Sequence, residues 1–178
     1  MSTPAVPVAV KPVAALILAR EELTAPVLRR LMEYLGPVDL VSPLWPFRAT
    51  KYYAGEMGGG LWRSLASFLH LTDPAFLADW KVFTNSLEQH FAAGGRRLVN
   101  LDPGYVARER LVLATGKNYS HRIYLGQGIY GDLTLTAGPA GFHNLPWTYP
   151  DYAAGPLPEF LTLVRRKYLW QLRQLAKQ

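Results

Sequence analysis

Apolar residues along this chain fall into two spacings, and the switches between them predict its elements. Residues 13–19, Val-Ala-Ala-Leu-Ile-Leu-Ala, form an unbroken apolar run of the length and type that suits a buried strand. Val27, Leu28, Leu31, Met32 and Leu35 follow at helical spacing, behind Thr24 as the expected cap and Pro26 in the first turn, with Gly36-Pro37 as the stop. Residues 38–42 alternate as a strand and lead through Leu44-Trp45-Pro46-Phe47 into a glycine-rich loop; another strand is expected over 62–71. Asp73-Pro74 opens a second helix, a capping carboxylate followed by proline at the first helical position. That helix runs to about Phe91 and ends before Gly94-Gly95, and residues 97–102 supply a fourth strand.

Strand, helix, strand, strand, helix, strand is the order of the split, ferredoxin-like fold, which leaves one sheet face to be covered. The second half is expected to cover it. Pro103-Gly104 should turn the chain into a strand over 108–115, and Gly116-Lys117-Asn118 should turn it again. Residues 121–125 then pair with 129–136 across Gly126-Gln127-Gly128. Residues 145–152 are aromatic and proline-rich and read as a packed irregular stretch. A last helix over 158–175 sets Leu161, Val164, Tyr168, Leu172 and Leu175 on one face. The expectation is an α+β chain: a ferredoxin-like βαββαβ core extended by a C-terminal antiparallel β-hairpin region and a terminal helix. Residues 1–12, rich in Pro, Ala and Val with Lys11 their one charge, are expected to be a disordered leader to a single domain over 13–178.

Composition narrows the chemistry. A chain of 178 residues is long enough for one well-buried core. With no cysteine, disulfides, thiolate metal sites and cysteine nucleophiles are excluded. No stretch nears the roughly 18 apolar residues of a membrane span, and residues 1–13 lack the form of a signal peptide, so a cytoplasmic protein is expected. The net charge is +6. Residues 1–89 hold eight basic and eight acidic side chains, whereas 90–178 hold eleven and five. Arg165, Arg166, Lys167, Arg173 and Lys177 in the terminal helix account for much of the excess, which fits either a solvated face or a phosphate-bearing partner.

Three segments concentrate polar chemistry. On the second helix, Phe76, Trp80, Phe83, Leu87 and Phe91 are the expected core face, and Lys81, Thr84, Asn85 and Glu88 form a stripe roughly 110° from it. A polar stripe flanking the core reads as one wall of a cleft, or as an ordinary boundary between core and solvent. Asn100 and Asp102 point to one face of a strand, where both are poor formers; Asp102 before Pro-Gly also suits a turn. Lys117, His121 and Arg122 bring three nitrogen donors near one turn, a receptor for phosphate or carboxylate. The four histidines lack metal-ligand spacing, so no metal site is expected, and the sequence names no cofactor. A phosphate loop, a dinucleotide fingerprint and a nucleophile elbow are all missing from the sequence.

These segments carry a resemblance. Tyr52-Tyr53-Ala-Gly-Glu56-Met57-Gly58, Lys81 with Thr84-Asn85 and Glu88, and Val99-Asn-Leu-Asp-Pro-Gly-Tyr105 are three of its parts. Leu111-Val-Leu-Ala-Thr115 with Lys117, His121-Arg-Ile-Tyr-Leu-Gly126, Gly128-Ile-Tyr130 and Trp147-Thr-Tyr-Pro-Asp151 complete it. Together they resemble the bacterial family known as domain of unknown function 4416 over residues 13–168. Lys51 departs from the acidic residue that usually precedes the Tyr-Tyr pair. The resemblance implies that the polar residues converge on one site without choosing a reaction.

The expected function is that of a small enzyme or a ligand-binding protein with a polar cleft for a phosphorylated or nucleotide-like small molecule. Lys81, Lys117 and Arg122 would hold its anionic groups. Glu56, Glu88 and Asp102 are candidate acids, bases or hydroxyl acceptors, and His121 a proton carrier. Thr84, Asn85 and Asn100 line the cleft, and Tyr53, Tyr105 and Tyr130 stack or donate. Two other readings stand beside it: an RNA-binding module using the basic terminal helix and exposed aromatics, and a structural protein of a larger assembly.

Overall fold

A computed structural model describes residues 1–48 and 54–177. It is α+β. Among the described residues, nine strands form one antiparallel sheet: β1 (Lys11–Leu18), β2 (Val38–Val41), β3 (Trp45–Pro46), β4 (Trp62–Phe68), β5 (Val99–Val106), β6 (Arg110–Thr115), β7 (Arg122–Gly126), β8 (Ile129–Gly138) and β9 (Gly141–Asn144). The five helices are α1 (Thr24–Leu35), α2 (Ala54–Met57), α3 (Leu77–His90), α4 (Pro150–Ala153) and α5 (Pro156–Leu175). The sheet runs β2-β4-β1-β5-β6-β8-β7, with β3 on β4 and β9 on β8. None of the described helices is long and apolar enough to cross a membrane.

The apolar run of β1 is buried on both faces, and its alternation divides the interior into two cores. Ala14, Leu16 and Leu18 face α1 and α3, where they meet Val27, Leu31, Leu77, Trp80 and Leu87. Val13 and Ala15 face the other way, with Leu65, Leu111 and Leu135, onto Leu157, Phe160, Leu161, Val164 and Tyr168 of α5. Cover for the second sheet face therefore comes from the terminal helix. The C-terminal strands lengthen the sheet instead of making a separate layer.

Several boundaries differ from expectation for identifiable reasons. The sheet begins before Val13: Val10 bridges Thr72, and Lys11 is fully buried, its ammonium bonded to Asp39 (2.7 Å), the Phe68 carbonyl and Gln171. The end of the expected leader is thus strand. Thr24 does not cap α1; a short 3-10 turn, Glu21–Leu23, precedes the helix, and the Thr24 hydroxyl bonds back to the Glu21 carbonyl. Asp73 does cap, accepting from the Ala75 amide, but its helix opens as a 3-10 turn. Part of the 145–152 stretch is regular after all, as α4. The basic run of α5 is only partly a solvated face: Arg165 donates twice to the Arg108 carbonyl, and Lys167 pairs with Asp39 at 3.0 Å.

The largest correction concerns Asp102-Pro103-Gly104, which is not a turn. β5 runs straight through it to Val106, pairing with β1 along its whole length. Its ladder with β6 starts only at Gly104↔Leu113. The Leu101 and Ala107 amides both point toward the β6 side, so by the two-residue period the nitrogen of Pro103 points there too. Proline has no hydrogen to give a partner strand, and the ladder stops. Gly104 is where β6 comes closest: an added Cβ would meet the Val112 carbonyl and stand 2.6 Å from the Leu113 side chain. Two residues that resemble a turn in sequence set the point from which β5 and β6 part.

Candidate functional site

Where β5 and β6 part, an open cavity of about 650 Å³ lies against the sheet. The strand register builds its floor in two rows. Arg63 on β4, Ile17 on β1 and Asn100 on β5 are direct cross-strand neighbours. So are Leu113 on β6, Asp132 on β8 and Arg122 on β7. Opposed residues share a face, so the two rows stand on the α5 side of the sheet, on either side of the gap. Tyr149, Asp151 and Tyr152 form the wall above them, and Lys81, Asn85 and Glu88 reach in from α3 on the opposite side.

The gap explains how α3 carries its polar stripe inward. Leu77, Lys81, Thr84 and Glu88 share one face of the helix and are all buried, beside Trp80 and Leu87. The sheet-facing side of α3 is thus turned toward the polar stripe, and Phe76, expected in the core, is 50% exposed. With β6 diverging, the backbone of Leu101 needs other partners. Lys81 Nζ donates to its carbonyl at 2.7 Å, and Glu88 Oε1 accepts its amide at 2.7 Å. Lys81, 6% exposed, also donates to Asp102 Oδ1 at 3.2 Å and lies 3.6 Å from Glu88. Glu88 Oε2 accepts from Arg97 at 3.1 Å, and Arg97 reaches on to Glu56 at 2.6 Å.

Asp102 is one of the carboxylates that line the cavity, with a side chain 26% exposed. Asn100 Nδ2 donates to its Oδ2 at 2.8 Å. Burial pulls its carboxyl upward, but the charges of Lys81 and Arg63 and the bonds from Lys81 and Asn100 outweigh burial and hold it below the usual carboxylate range. Arg63 is buried, pairs with Asp151 at 2.9 Å, and lies over the rings of Phe47 and Tyr152. Burial pushes the Tyr152 phenol well up, against the nearby Arg63 charge.

Across the gap, Asp132 is buried and accepts from Arg122 Nε at 2.8 Å, with His121 Nε2 at 3.3 Å. Arg122 also donates to the Lys117 carbonyl and to the Tyr149 hydroxyl. Burial works against its charge, but the Asp132 bond and charge prevail and raise its already high pKa. His121 stacks on Trp147, ring centroids 4.7 Å apart, at the edge of a smaller depression that shares Lys117, Arg122 and Tyr149 with the main cavity.

Of the residues expected to form a site, Lys81, Asn85, Glu88, Asn100, Asp102, Lys117 and Arg122 line this one cavity. Thr84 is buried beneath it, its hydroxyl bonded to the Lys81 carbonyl. Glu56 stands outside and touches the site through Arg97. His121 borders the side depression. Tyr105 packs on the α1/α3 core and Tyr130 lies against Tyr124, so neither lines the cavity. Tyr53 falls outside the described residues. Sequence reading missed Arg63, Asp132, Asp151 and Tyr152. The signal for two of them was available: Arg63 and Asp132 are the lone charges in otherwise uncharged strands, on the same side as inward-facing neighbours.

Among the described residues, no cluster of three or more His, Asp or Glu side chains could hold a metal ion. No curated protein and no solved structure matches the chain. Residues 8–168 match the model of a family described as domain of unknown function (DUF4416), and that span includes every residue of the cavity; the chain belongs to that family.

Proposed function

We propose that the protein binds a phosphorylated, nucleotide-like or sugar-like, small molecule in the cavity between β5 and β6. One observation carries the reading: a cavity of about 650 Å³, within the roughly 300–1,000 Å³ of small-molecule sites, is lined by five cations, four carboxylates and three aromatic rings at a single break in the sheet. Structural ion pairs alone do not require a cavity. Lys117 and Arg122 at the mouth supply donors for an anionic group. Asp102, held ionised, is a hydroxyl acceptor or a base and not an acid. Glu88 and Lys81 hold the walls in place and are less suited to turnover, because their polar atoms already serve Leu101.

The strand order β2-β4-β1-β5 in the first half supports a ferredoxin-like reading of that portion. It supports the RNA-binding reading less, because α5 packs over the sheet face on which bases would stack. The test is thermal unfolding against a panel of nucleotides and sugar phosphates at millimolar concentration, with inorganic phosphate as reference. A binder raises the midpoint, and Lys117→Ala, an exposed substitution, reduces the rise. A panel without any shift, or a shift indifferent to Lys117→Ala, overturns the reading.

A further inference from the structure

β7 ends the sheet: among the described residues it pairs with β8 and with no other strand. An edge strand offers a row of unpaired amides and carbonyls, and edges are usually guarded by charge, proline or brevity. β7 is guarded by none of these at its centre. It reads Arg122-Ile-Tyr-Leu-Gly126, with Ile123 73%, Tyr124 59% and Leu125 42% exposed. Its one charge is turned inward onto Asp132. The other edge differs: β2 carries Asp39 locked under Lys11 and Lys167. Both edges have a register shift, but on β7 it lies at the hairpin end, between Tyr124 and Gly126.

The pattern on β7 is complementary to itself. About a two-fold axis at Tyr124, antiparallel pairing sets Tyr124 opposite the partner's Tyr124 and Ile123 opposite the partner's Leu125; the register shift before Gly126 ends the regular stretch there. Every cross-strand contact is then apolar to apolar or ring to ring, and the like charges are kept apart. Leu125 leans over Gly131, the cross-strand neighbour of Ile123, so Ile123 and Leu125 share a face. Tyr124 lies with Tyr130 on the other, ring centroids 5.3 Å apart. Both faces of the strand thus offer matching apolar surface to a second copy, while the backbone edge beyond Arg122, whose amide already donates to the Tyr119 carbonyl, supplies the hydrogen bonds.

We propose that the protein forms a two-fold dimer through β7, joining two nine-stranded sheets into one. The closure is isologous, so it stops at two copies. The inference is independent of any ligand. The full chain is to be weighed by light scattering over a micromolar to submillimolar series, beside Ile123→Lys/Leu125→Glu, whose positions are exposed enough to leave the fold intact. The expected result is twice the chain mass for the unaltered protein and a single chain mass for the variant. A monomer throughout, a larger open assembly, or an unaffected variant overturns the proposal.

The register has its own test, because the chain has no cysteine. Opposed Cα atoms in an antiparallel pair are about 4.5 to 5.5 Å apart, within the roughly 4.4 to 6.8 Å that a disulfide spans. Tyr124→Cys should give a disulfide-linked dimer under mild oxidation, whereas Ile123→Cys, displaced from its own copy, should not. Equal cross-linking at both positions overturns this pairing.

Discussion

Lys81 and Glu88, two turns apart on α3, hold the two backbone groups of Leu101, one donating to its carbonyl and the other accepting its amide, each at 2.7 Å. A helix thereby substitutes for the strand that β5 lacks at this point, and the cavity is what remains between them. The pair is worth most through what its loss leaves behind. Removing one member of a buried, hydrogen-bonded pair strands the other charge and an unsatisfied amide.

Glu88→Ala is therefore expected to lower the unfolding free energy by about 3 to 5 kcal/mol, as for a broken buried ion pair. Glu88→Gln should cost less, because an amide oxygen can still accept from Leu101. Urea denaturation of both variants checks this. A loss from Glu88→Ala no larger than that of an exposed Glu21→Ala control would remove the role assigned to the carboxylate.

Pro103 and Gly104 give a contrasting pair. A Cβ at Gly104 would press on the Val112 carbonyl and the Leu113 side chain, so Gly104→Ala is expected to cost roughly 1 to 3 kcal/mol, the range for overpacking. Pro103→Ala adds no clash and removes mainly chain stiffness, and should cost less than about 1 kcal/mol. Equal losses in thermal and urea denaturation would mean that the approach of β6 at Gly104 does not limit the packing.

Much of the fold was legible because it rests on local pattern: the doubly buried β1, the amphipathic α1 and the glycine hairpin between β7 and β8 each follow from spacing alone. The site was half legible. Lys81 stood out in a polar stripe flanking the core, Asn100 and Asp102 as poor strand formers on one strand face, and Arg122 as a nitrogen donor beside a turn. Asp151 did not, because it becomes the partner of Arg63 only when α4 folds back over the sheet, and no local pattern encodes that. The Asp-Pro-Gly error has a general cause. The same residues that favour a turn also terminate a ladder and permit a close approach, and which of these occurs depends on the neighbouring strand.

The phase of α3 can be tested by two substitutions. Phe76 was expected in the core and is half exposed, whereas Trp80 is buried among Leu16, Leu87 and their neighbours. Trp80→Ala should lose about 3 to 5 kcal/mol, and Phe76→Ser should fall within roughly 0.5 kcal/mol of the unaltered protein, as surface changes do. A large loss from Phe76→Ser would return the helix to the orientation its aromatic spacing predicts.

Acid should weaken the fold through two carboxylates. Burial alone would raise Asp39, but bonds from Lys11, Ser67 and Lys167 and the Lys11 charge hold it low; Asp102 is held low by Lys81, Arg63 and Asn100. Both therefore titrate lower in the folded chain than in the unfolded one, where 3.8 is the reference. As the pH falls past that reference the unfolded chain takes up protons first, and the equilibrium shifts toward it. The stabilisation is complete above about pH 5 and is lost progressively as the pH drops through the folded values. Urea midpoints at pH 6, 4 and 3 should fall in that order. Asp39→Asn should start lower at pH 6 and decline less steeply, since one of the two titrations is gone, and Asp39→Asn/Asp102→Asn should flatten the acid limb further. An acid limb as steep in the double variant as in the unaltered protein would assign acid unfolding to other carboxylates.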